Sequence, residues 1–302
     1  MVQLHKPVLL KEVIESFENL SDRKDLTYFD GTFGRGGHYQ ALRDRYFPKA
    51  AFATDQDHEA IAHAQKHFPE VKINHSDFFS YAQNQLPNYD MGLIDLGVSS
   101  PQLDQPERGF SFNKDGPLDM RMNHNVAVTA ATIINEWPED KLFEIFKTYG
   151  EVERPARVIR AVLNDRVTKP FTTTLQLAQL IERVDGWTKK GFHPGTQYFM
   201  ALRLVVNNEL EFVEKGLPFL IEKLNDGGRL SVITFHSLED RLVKEIFRDS
   251  KLGFPVYKKV IVPTDEECKT NPRARSAKLR VFQKGKEPEK PDKFALRRAQ
   301  RT

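Results

Sequence analysis

A run of glycines set between carboxylates is the first feature of this sequence that could do chemistry. Asp30 is followed by Gly31, Gly34, Gly36 and Gly37, and Asp55 stands 21 positions beyond Gly34. A glycine-rich turn between a strand and a helix lets a ligand approach the backbone and aims free amides at it. An acid at the end of the next strand can then accept both hydroxyls of a ribose. A dinucleotide pattern, G-x-G-x-x-G, needs a third glycine where this chain has Tyr39, and no Gly-Lys-Ser/Thr follows as in a P-loop. A carboxylate at Asp30 would repel a pyrophosphate but could take the ammonium of an amino-acid moiety. S-adenosylmethionine has a ribose and an ammonium group but no phosphate, so it fits better than NAD.

Two further segments are chemically suggestive. Asp77-Phe78 follows a strand at the place where an adenine would lie. Phe78 could cover the ring and Asp77 accept from its amino group, or Phe78 and Phe79 could wedge the core while Asp77 caps a helix. Asp95-Leu-Gly-Val-Ser-Ser-Pro-Gln102 stands at the carboxyl end of another strand, the edge that holds ligands in open α/β sheets. Its carboxylate, hydroxyls and carbonyls before a proline could orient an amine for methylation, with Asp95 as the catalytic candidate, although Ser99-Ser-Pro is also an ordinary turn. Methylating a pyrimidine carbon would instead need a nucleophile, normally a cysteine. The single cysteine, Cys268, lies far along the chain beside the basic segment from Lys269 to Arg275. His236-Ser-Leu-Glu-Asp-Arg241 follows a strand that reaches the same edge. Ser237 with Asp240 resembles a capping box, and His236 either faces the substrate or packs.

The elements that must position these residues follow from periodicity. Residues 27–30, 50–55, 71–75 and 91–95 read as strands, with helices opening at 38 and spanning 59–67. Such alternation predicts a parallel, doubly wound sheet. From about 108 to 210 the pattern is helical only, at 141–147, 157–163, 175–184 and 198–213. A buried strand at 228–235, a helix at 238–247 and a closing antiparallel pair at 256–262 and 279–283 complete the chain, and the tail from Lys284 reads as flexible. The expected organisation is a discontinuous α/β domain, 1–107 and 211–302, interrupted by a helical insertion, 108–210, for substrate recognition. Length fits about two domains: 302 residues at ~150 each. Forty-five basic and 42 acidic residues leave +3, too even for holding nucleic acid by net charge alone. The lone cysteine excludes an internal disulfide framework and any CxxC zinc or redox motif, so no metal is expected. No apolar run is long enough to span a membrane, and the first residues lack a signal-peptide core, which predicts a cytoplasmic protein.

Taken together, the motifs resemble a known family. They are Asp30-Gly-Thr-Phe-Gly-Arg-Gly-Gly-His38, Leu96-Gly-Val-Ser-Ser-Pro-Gln-Leu103, Arg108-Gly-Phe-Ser-Phe112, Asp115-Gly-Pro-Leu-Asp-Met-Arg-Met122, Phe235-His-Ser-Leu-Glu-Asp-Arg241 and Asn271-Pro-Arg-Ala-Arg-Ser276. In this order they are similar to the bacterial small-subunit ribosomal RNA (cytosine-N4) methyltransferases, the RsmH or MraW family. The resemblance runs from about residue 5 to 280. It implies a Rossmann-like class I S-adenosylmethionine-dependent sheet with a helical insertion. The implied reaction is methylation of the exocyclic N4 amine of a cytidine in the ribosomal decoding region. The implied cofactor contacts are Gly36, Gly37, His38, Asp55, Phe78, Asp95 and Gln102. Asp95 thus carries a cofactor role beside its substrate role, compatible at a site where methyl and amine nearly touch. Residues 151–156 and 193–197 depart from the family pattern, with Gly195 and Gln197 where Ala and Arg are usual.

The expected partner is small-subunit ribosomal RNA within the small ribosomal subunit. Arg154, Arg157 and Arg160 recur at helical spacing, with Val158, Ile159 and Val162 opposite; Lys189, Lys190, Arg297, Arg298 and Arg301 add basic charge. Each run is either an RNA contact or a solvated face. Phe110 and Phe112 either stack on a base or anchor the insertion. A binding or assembly factor that keeps the fold without catalysis competes with the enzyme, but intact Asp55 and Asp95 favour the enzyme. A nicotinamide oxidoreductase comes third, and Tyr39 counts against it.

Overall fold

The computed structural model describes residues 6–187 and 193–288. Lys189, Lys190, Arg297, Arg298 and Arg301 lie outside the described residues. Seven strands form one sheet: β1 (Thr27–Asp30), β2 (Ala50–Asp55), β3 (Lys72–His75), β4 (Tyr89–Asp95), β5 (Leu224–Thr234), β6 (Gly253–Pro255) and β7 (Lys278–Lys284). Their order is β3-β2-β1-β4-β5-β7-β6; β1 to β5 run parallel, and β7 lies antiparallel to both β5 and β6. The chain order reverses between β1 and β4, which opens a crevice at the carboxyl ends of the strands.

Helices cover both faces, as a parallel sheet requires. Residues alternate across each strand, so Tyr28, Met91 and Ile233 face one core while Phe29, Ile94 and Val232 face the other. The first core is covered by α1 (Leu10–Glu15), α2 (Gly37–Tyr46) and α3 (His58–His67), through Val13, Leu42 and Ala64. On the second face lies α4 (Phe78–Asn84). The short α5 (Ser100–Asp104) follows β4, and then the helical segment begins.

That segment contains α6 (Ala130–Glu136), α7 (Glu139–Glu144), α8 (Ala156–Thr168), α9 (Thr174–Asp185) and α10 (Gly195–Val206). Residues from Phe110 to Val206 bury a core of their own, including Ile133, Phe146, Ile159, Leu177 and Leu202. Val98, from the loop after β4, and Leu103, on α5, pack against it, so this segment and the sheet edge are mechanically joined. The chain then returns through α11 (Glu209–Lys223), and α12 (Ser237–Asp249) and α13 (Asp265–Thr270) precede β7. Val213, Leu217 and Val243 close the second sheet core.

The carboxyl-terminal pairing differs from the sequence expectation. The partner of β7 is the three-residue β6, not a strand at 256–262; only an isolated bridge, Ile261 with Leu279, survives there. Pro255 closes β6, since proline contributes no N–H to a ladder. Lys284 is tied down rather than loose: its ammonium donates to the carbonyls of Glu222 and Leu224, each at 2.7 Å. No described helix is long and apolar enough to cross a membrane.

Candidate active site

The glycine turn after β1 is held rigidly. Gly31 N–H donates to the Leu93 carbonyl (3.0 Å), Phe33 N–H to the Thr54 carbonyl (3.1 Å), and the Thr54 hydroxyl to the Gly31 carbonyl (2.9 Å). Gly36, at φ +74°, opens α2; a Cβ there would meet the Phe68 and Phe33 rings at 2.6 and 2.9 Å. A Cβ at Gly37 would meet Pro7 at 2.6 Å, so these two glycines let the turn close on its own neighbours. Gly34, at φ +55°, has nothing within 4 Å of a Cβ. It is the glycine around which the backbone is open to a ligand.

Three carboxylates end neighbouring parallel strands and meet at this edge: Asp30 on β1, Asp55 on β2 and Asp95 on β4. Asp30 is buried, accepting from the Tyr28 hydroxyl (2.7 Å) and Thr32 N–H (3.1 Å). Asp55 accepts from Gly34 N–H and Asp57 N–H, both at 2.8 Å. Burial, opposed by the Tyr28 and Thr32 hydrogen bonds, pushes Asp30 up to about 7. Burial likewise raises Asp55 to about 6. Burial, with the charges of Asp30 and Glu239 adding to it, raises Asp95 to about 8. The donors to Asp30 and Asp55 are a tyrosine hydroxyl and backbone amides.

Such an edge fits a cation and rejects a phosphate. The sulfonium and ammonium of S-adenosylmethionine would favour the ionised carboxylates, so binding releases protons and strengthens as pH rises. Titration calorimetry is expected to show the dissociation constant improving at least about tenfold from pH 6 to pH 8, the change that one coupled proton gives over a single pH unit. A dissociation constant flat across that window would remove the carboxylate cluster from cofactor binding.

Asp95 is the least satisfied of the three. Its N–H donates to the Thr32 hydroxyl at 2.6 Å, but Oδ1 is buried with no partner. Oδ2 stands 3.8 Å from His38 Nδ1. The side chain is 28% exposed, so the carboxylate reaches solvent at the strand edge with acceptor capacity to spare. His38 sits in the first turn of α2, its ring buried and its Nε2 2.9 Å from the Val8 carbonyl. Burial pushes its pKa down to about 4, so the ring is neutral.

The other expected contacts are more structural. Phe78 is buried against Gly31 and Gly216, and Asp77 caps α4 by accepting from Ser80 N–H and hydroxyl, both at 2.7 Å. Asp77 is thus a helix cap, and Phe78 packs in the core beside the glycine turn. Gln102 is also engaged at both ends: Oε1 accepts from Ser99 N–H (2.9 Å), and Nε2 donates to Asp57 (2.7 Å). Asp57 accepts again from Arg108 (2.8 Å), whose other nitrogen reaches the carbonyls of Arg121 and Met122. This buried brace, which sequence reasoning missed, fastens the loop after β4 to α3 and to the helical segment.

A second missed group surrounds His236. The cap of α12 is His236, not Ser237: Glu239 N–H approaches its Nδ1 at 3.4 Å, while the Glu239 carboxylate accepts from Phe235 N–H and His236 N–H. His236 Nε2 is 3.0 Å from Glu239 Oε1, so the histidine packs on its own helix. Nearby, Arg203 binds Glu209 through two hydrogen bonds of 2.8 and 3.0 Å. The spacing of His236 to Glu239 was a capping signal read one residue out of frame. Asp240 instead binds Arg280 and Lys278.

Phe110 is buried in the core of the helical segment, and the half-buried Phe112 packs edge-on against Phe199 at 4.7 Å within the same segment. Arg154, Arg157 and Arg160 are exposed while Val158, Ile159 and Val162 are buried. The two stretches that depart from the family pattern touch each other. Gln197 donates to the Glu151 carbonyl (3.5 Å), and the Glu151 carboxylate accepts from Ser237 (2.5 Å) at the start of α12. Cys268 lies on α13, not on the strands that carry Asp30, Asp55 and Asp95. Among the described residues, no group of three or more His, Cys, Asp or Glu could hold a metal ion.

The strand order, the antiparallel β7 and the anionic edge with a glycine turn define a class I S-adenosylmethionine-dependent methyltransferase. A family model, the MraW methylase family, matches residues 2–285, and the chain belongs to that family. A Bdellovibrio bacteriovorus protein named ribosomal RNA small subunit methyltransferase H is 59% identical over 292 residues, 94% of this chain and 89% of its own. A protein of the same name from Legionella pneumophila strain Paris is 40% identical over 306 residues, covering 93% and 98%. Among solved structures, one from Streptococcus mutans in complex with SAH aligns over 91% of this chain and 97% of its own, at 10% identity and a TM-score of 0.43.

Proposed function

We propose that this protein methylates the exocyclic N4 amine of a cytidine in the decoding region of small-subunit ribosomal RNA, acting on the small ribosomal subunit in the cytoplasm. The observation that carries this reading is Asp95, whose side chain is 28% exposed at the strand edge beside the glycine turn and whose Oδ1 has no hydrogen-bond partner. A carboxylate there accepts an amine hydrogen and orients the nitrogen lone pair toward an incoming methyl. The only thiol is on α13, which disfavours carbon methylation. The names of the relatives support ribosomal RNA of the small subunit as substrate.

The residues present fit the cofactor. Asp55 would receive the ribose hydroxyls, the main chain of Gly34, Gly36, Gly37 and His38 would line its amino-acid side, and the buried Phe78 would back the adenine position. Gln102 would contribute by fixing the Ser99 loop, and Asp30 by keeping the edge anionic. When bound, S-adenosylmethionine would supply a methyl group on a sulfonium, whose sulfur can keep the electron pair of the bond to that methyl. The helical insertion, 108–210, would present the RNA, with exposed Arg157 and Arg160 on its outer face.

The test uses small subunits lacking N4-methylcytidine, incubated with the protein and S-adenosylmethionine and then digested to nucleosides for mass analysis. New N4-methylcytidine is the expected product. A different methylated nucleoside would overturn the amine assignment. Cofactor binding with no methylated nucleoside would overturn the ribosomal one.

A further inference from the structure

We propose that His38 and Asp95 form a paired acceptor for one proton, and that this pair takes the proton released when the substrate amine is methylated. The inference rests on the amine reading above and adds a residue acting through Asp95.

The geometry assigns the ring's tautomer. A carbonyl only accepts, so the 2.9 Å contact to Val8 requires the hydrogen on His38 Nε2. In the neutral ring Nδ1 then carries a lone pair, and it faces Asp95 Oδ2 at 3.8 Å. Once Asp95 is ionised, two acceptors are turned toward each other, and the site regains a hydrogen bond by binding a proton. Asp95 Oδ1 is buried without a partner and the side chain is 28% exposed, so Oδ2 is the oxygen that meets both the crevice and the ring. The ring does not choose this state locally. Val8 belongs to an N-terminal segment clamped from the far end of the chain, where the Glu267 carboxylate accepts from Leu9 N–H (2.8 Å) and Asn271 donates to the Lys6 carbonyl (3.2 Å).

The step balances simply. After methyl transfer the amine nitrogen carries one proton in excess. Its N–H bond breaks, the electron pair stays on nitrogen, and the proton lands on Asp95 Oδ2, the oxygen that faces the ring. A carboxyl O–H···Nδ1 bond, closing the gap to about 2.7 Å, then holds it until water receives it on product release. The other titratable groups around Asp95 are Asp30 with its partner Tyr28, and Glu239 with its partner His236; the two acids both favour a protonated Asp95.

The test pairs two variants with a measurement that needs no substrate. His38→Gln keeps a donor for the Val8 carbonyl and removes the acceptor facing Asp95; His38→Asn keeps an acceptor near Nδ1 and removes the donor. His38→Gln is expected to lower the single-turnover rate about 100-fold, the low end for a proton-transfer group. Cofactor affinity should stay within about threefold, and the acidic limb of the pH–rate profile should move to lower pH because protonated Asp95 has lost its partner. His38→Asn should retain more of the rate. Equal rate losses in both variants, tracking cofactor affinity with the acidic limb unmoved, would reduce His38 to a structural residue and overturn the proposal. Nitrogen NMR of the labelled wild-type ring is expected to show Nε2–H and an unprotonated Nδ1 from pH 6 to 8, perturbed by Asp95→Asn. A charged or Nδ1–H ring overturns the pair. If the wild type methylates no amine, the reading of the substrate fails, and the ring's tautomer still decides whether the acceptor pair exists.

Discussion

Asp95→Asn is expected to slow methyl transfer by about 10³-fold while making the folded protein more stable. The loss follows because an amide cannot take a proton and places an NH₂ where an acceptor is needed. The gain follows from linkage. Burial and neighbouring acids raise Asp95 to about 8 in the folded chain, above the ~3.9 of an unfolded aspartate. The native state therefore holds more protons than the unfolded one between those values, and stability falls as pH rises through that window. Removing the charge should raise the melting temperature by a few degrees at pH 8, an advantage that vanishes toward pH 4. Thermal scans at the two pH values, beside single-turnover assays, check both halves. A variant that is inactive and less stable at pH 8 would mean that Asp95 is chiefly structural.

Arg108→Met is expected to destabilise the protein by about 3–5 kcal/mol, the cost of leaving one member of a buried ion pair alone. The Arg108 and Asp57 side chains are 5% and 7% exposed, and their contact is 2.8 Å. Methionine approximates the length of the stem but supplies none of the hydrogen bonds to Asp57, Arg121 and Met122. Asp57 would keep Gln102 and the cap of α3 as partners, and these do not neutralise its charge. Asp57→Asn in the same chain should recover part of the loss, because contacting residues do not add independently. Urea unfolding of the two single variants and the double variant measures this. A cost below about 1 kcal/mol for Arg108→Met would show that the brace is dispensable. Methyl transfer should fall with it, since Gln102 and the Ser99 loop hang from the same carboxylate.

Much of the architecture was legible because it is written in local patterns. The apolar runs ending in Asp30, Asp55 and Asp95 are strands of a parallel sheet, and each acid stands where a buried run meets a turn. The helical stretch after Arg108 showed in its 3.6-residue spacing. Pairing at the last strands was less legible. A three-residue strand such as β6 has no periodicity to read, and its register depends on β7 and on where Pro255 falls. The capping frame at His236 was missed for a similar reason: Ser and Asp are common capping residues, so a histidine cap with a buried glutamate at N3 was passed over.

By itself, the sequence determined the kind of ligand and pointed to one strand edge for it. Glycine spacing, the absence of phosphate-binding motifs and acids at strand ends are properties of short segments, and they survive without knowledge of contacts. Tertiary structure decided what each side chain is free to do. Gln102 and Arg108 look like surface polar residues until Asp57, 45 and 51 positions away, takes both. His38 lies next to the glycines in sequence, yet its tautomer depends on Val8, held by Glu267 and Asn271 from the other end of the chain. Burial, which turns three ordinary aspartates into weak acids, exists only once the layers have closed over them. Hydrogen-bond partners and desolvation are properties of the packed molecule, and local pattern carries no record of either.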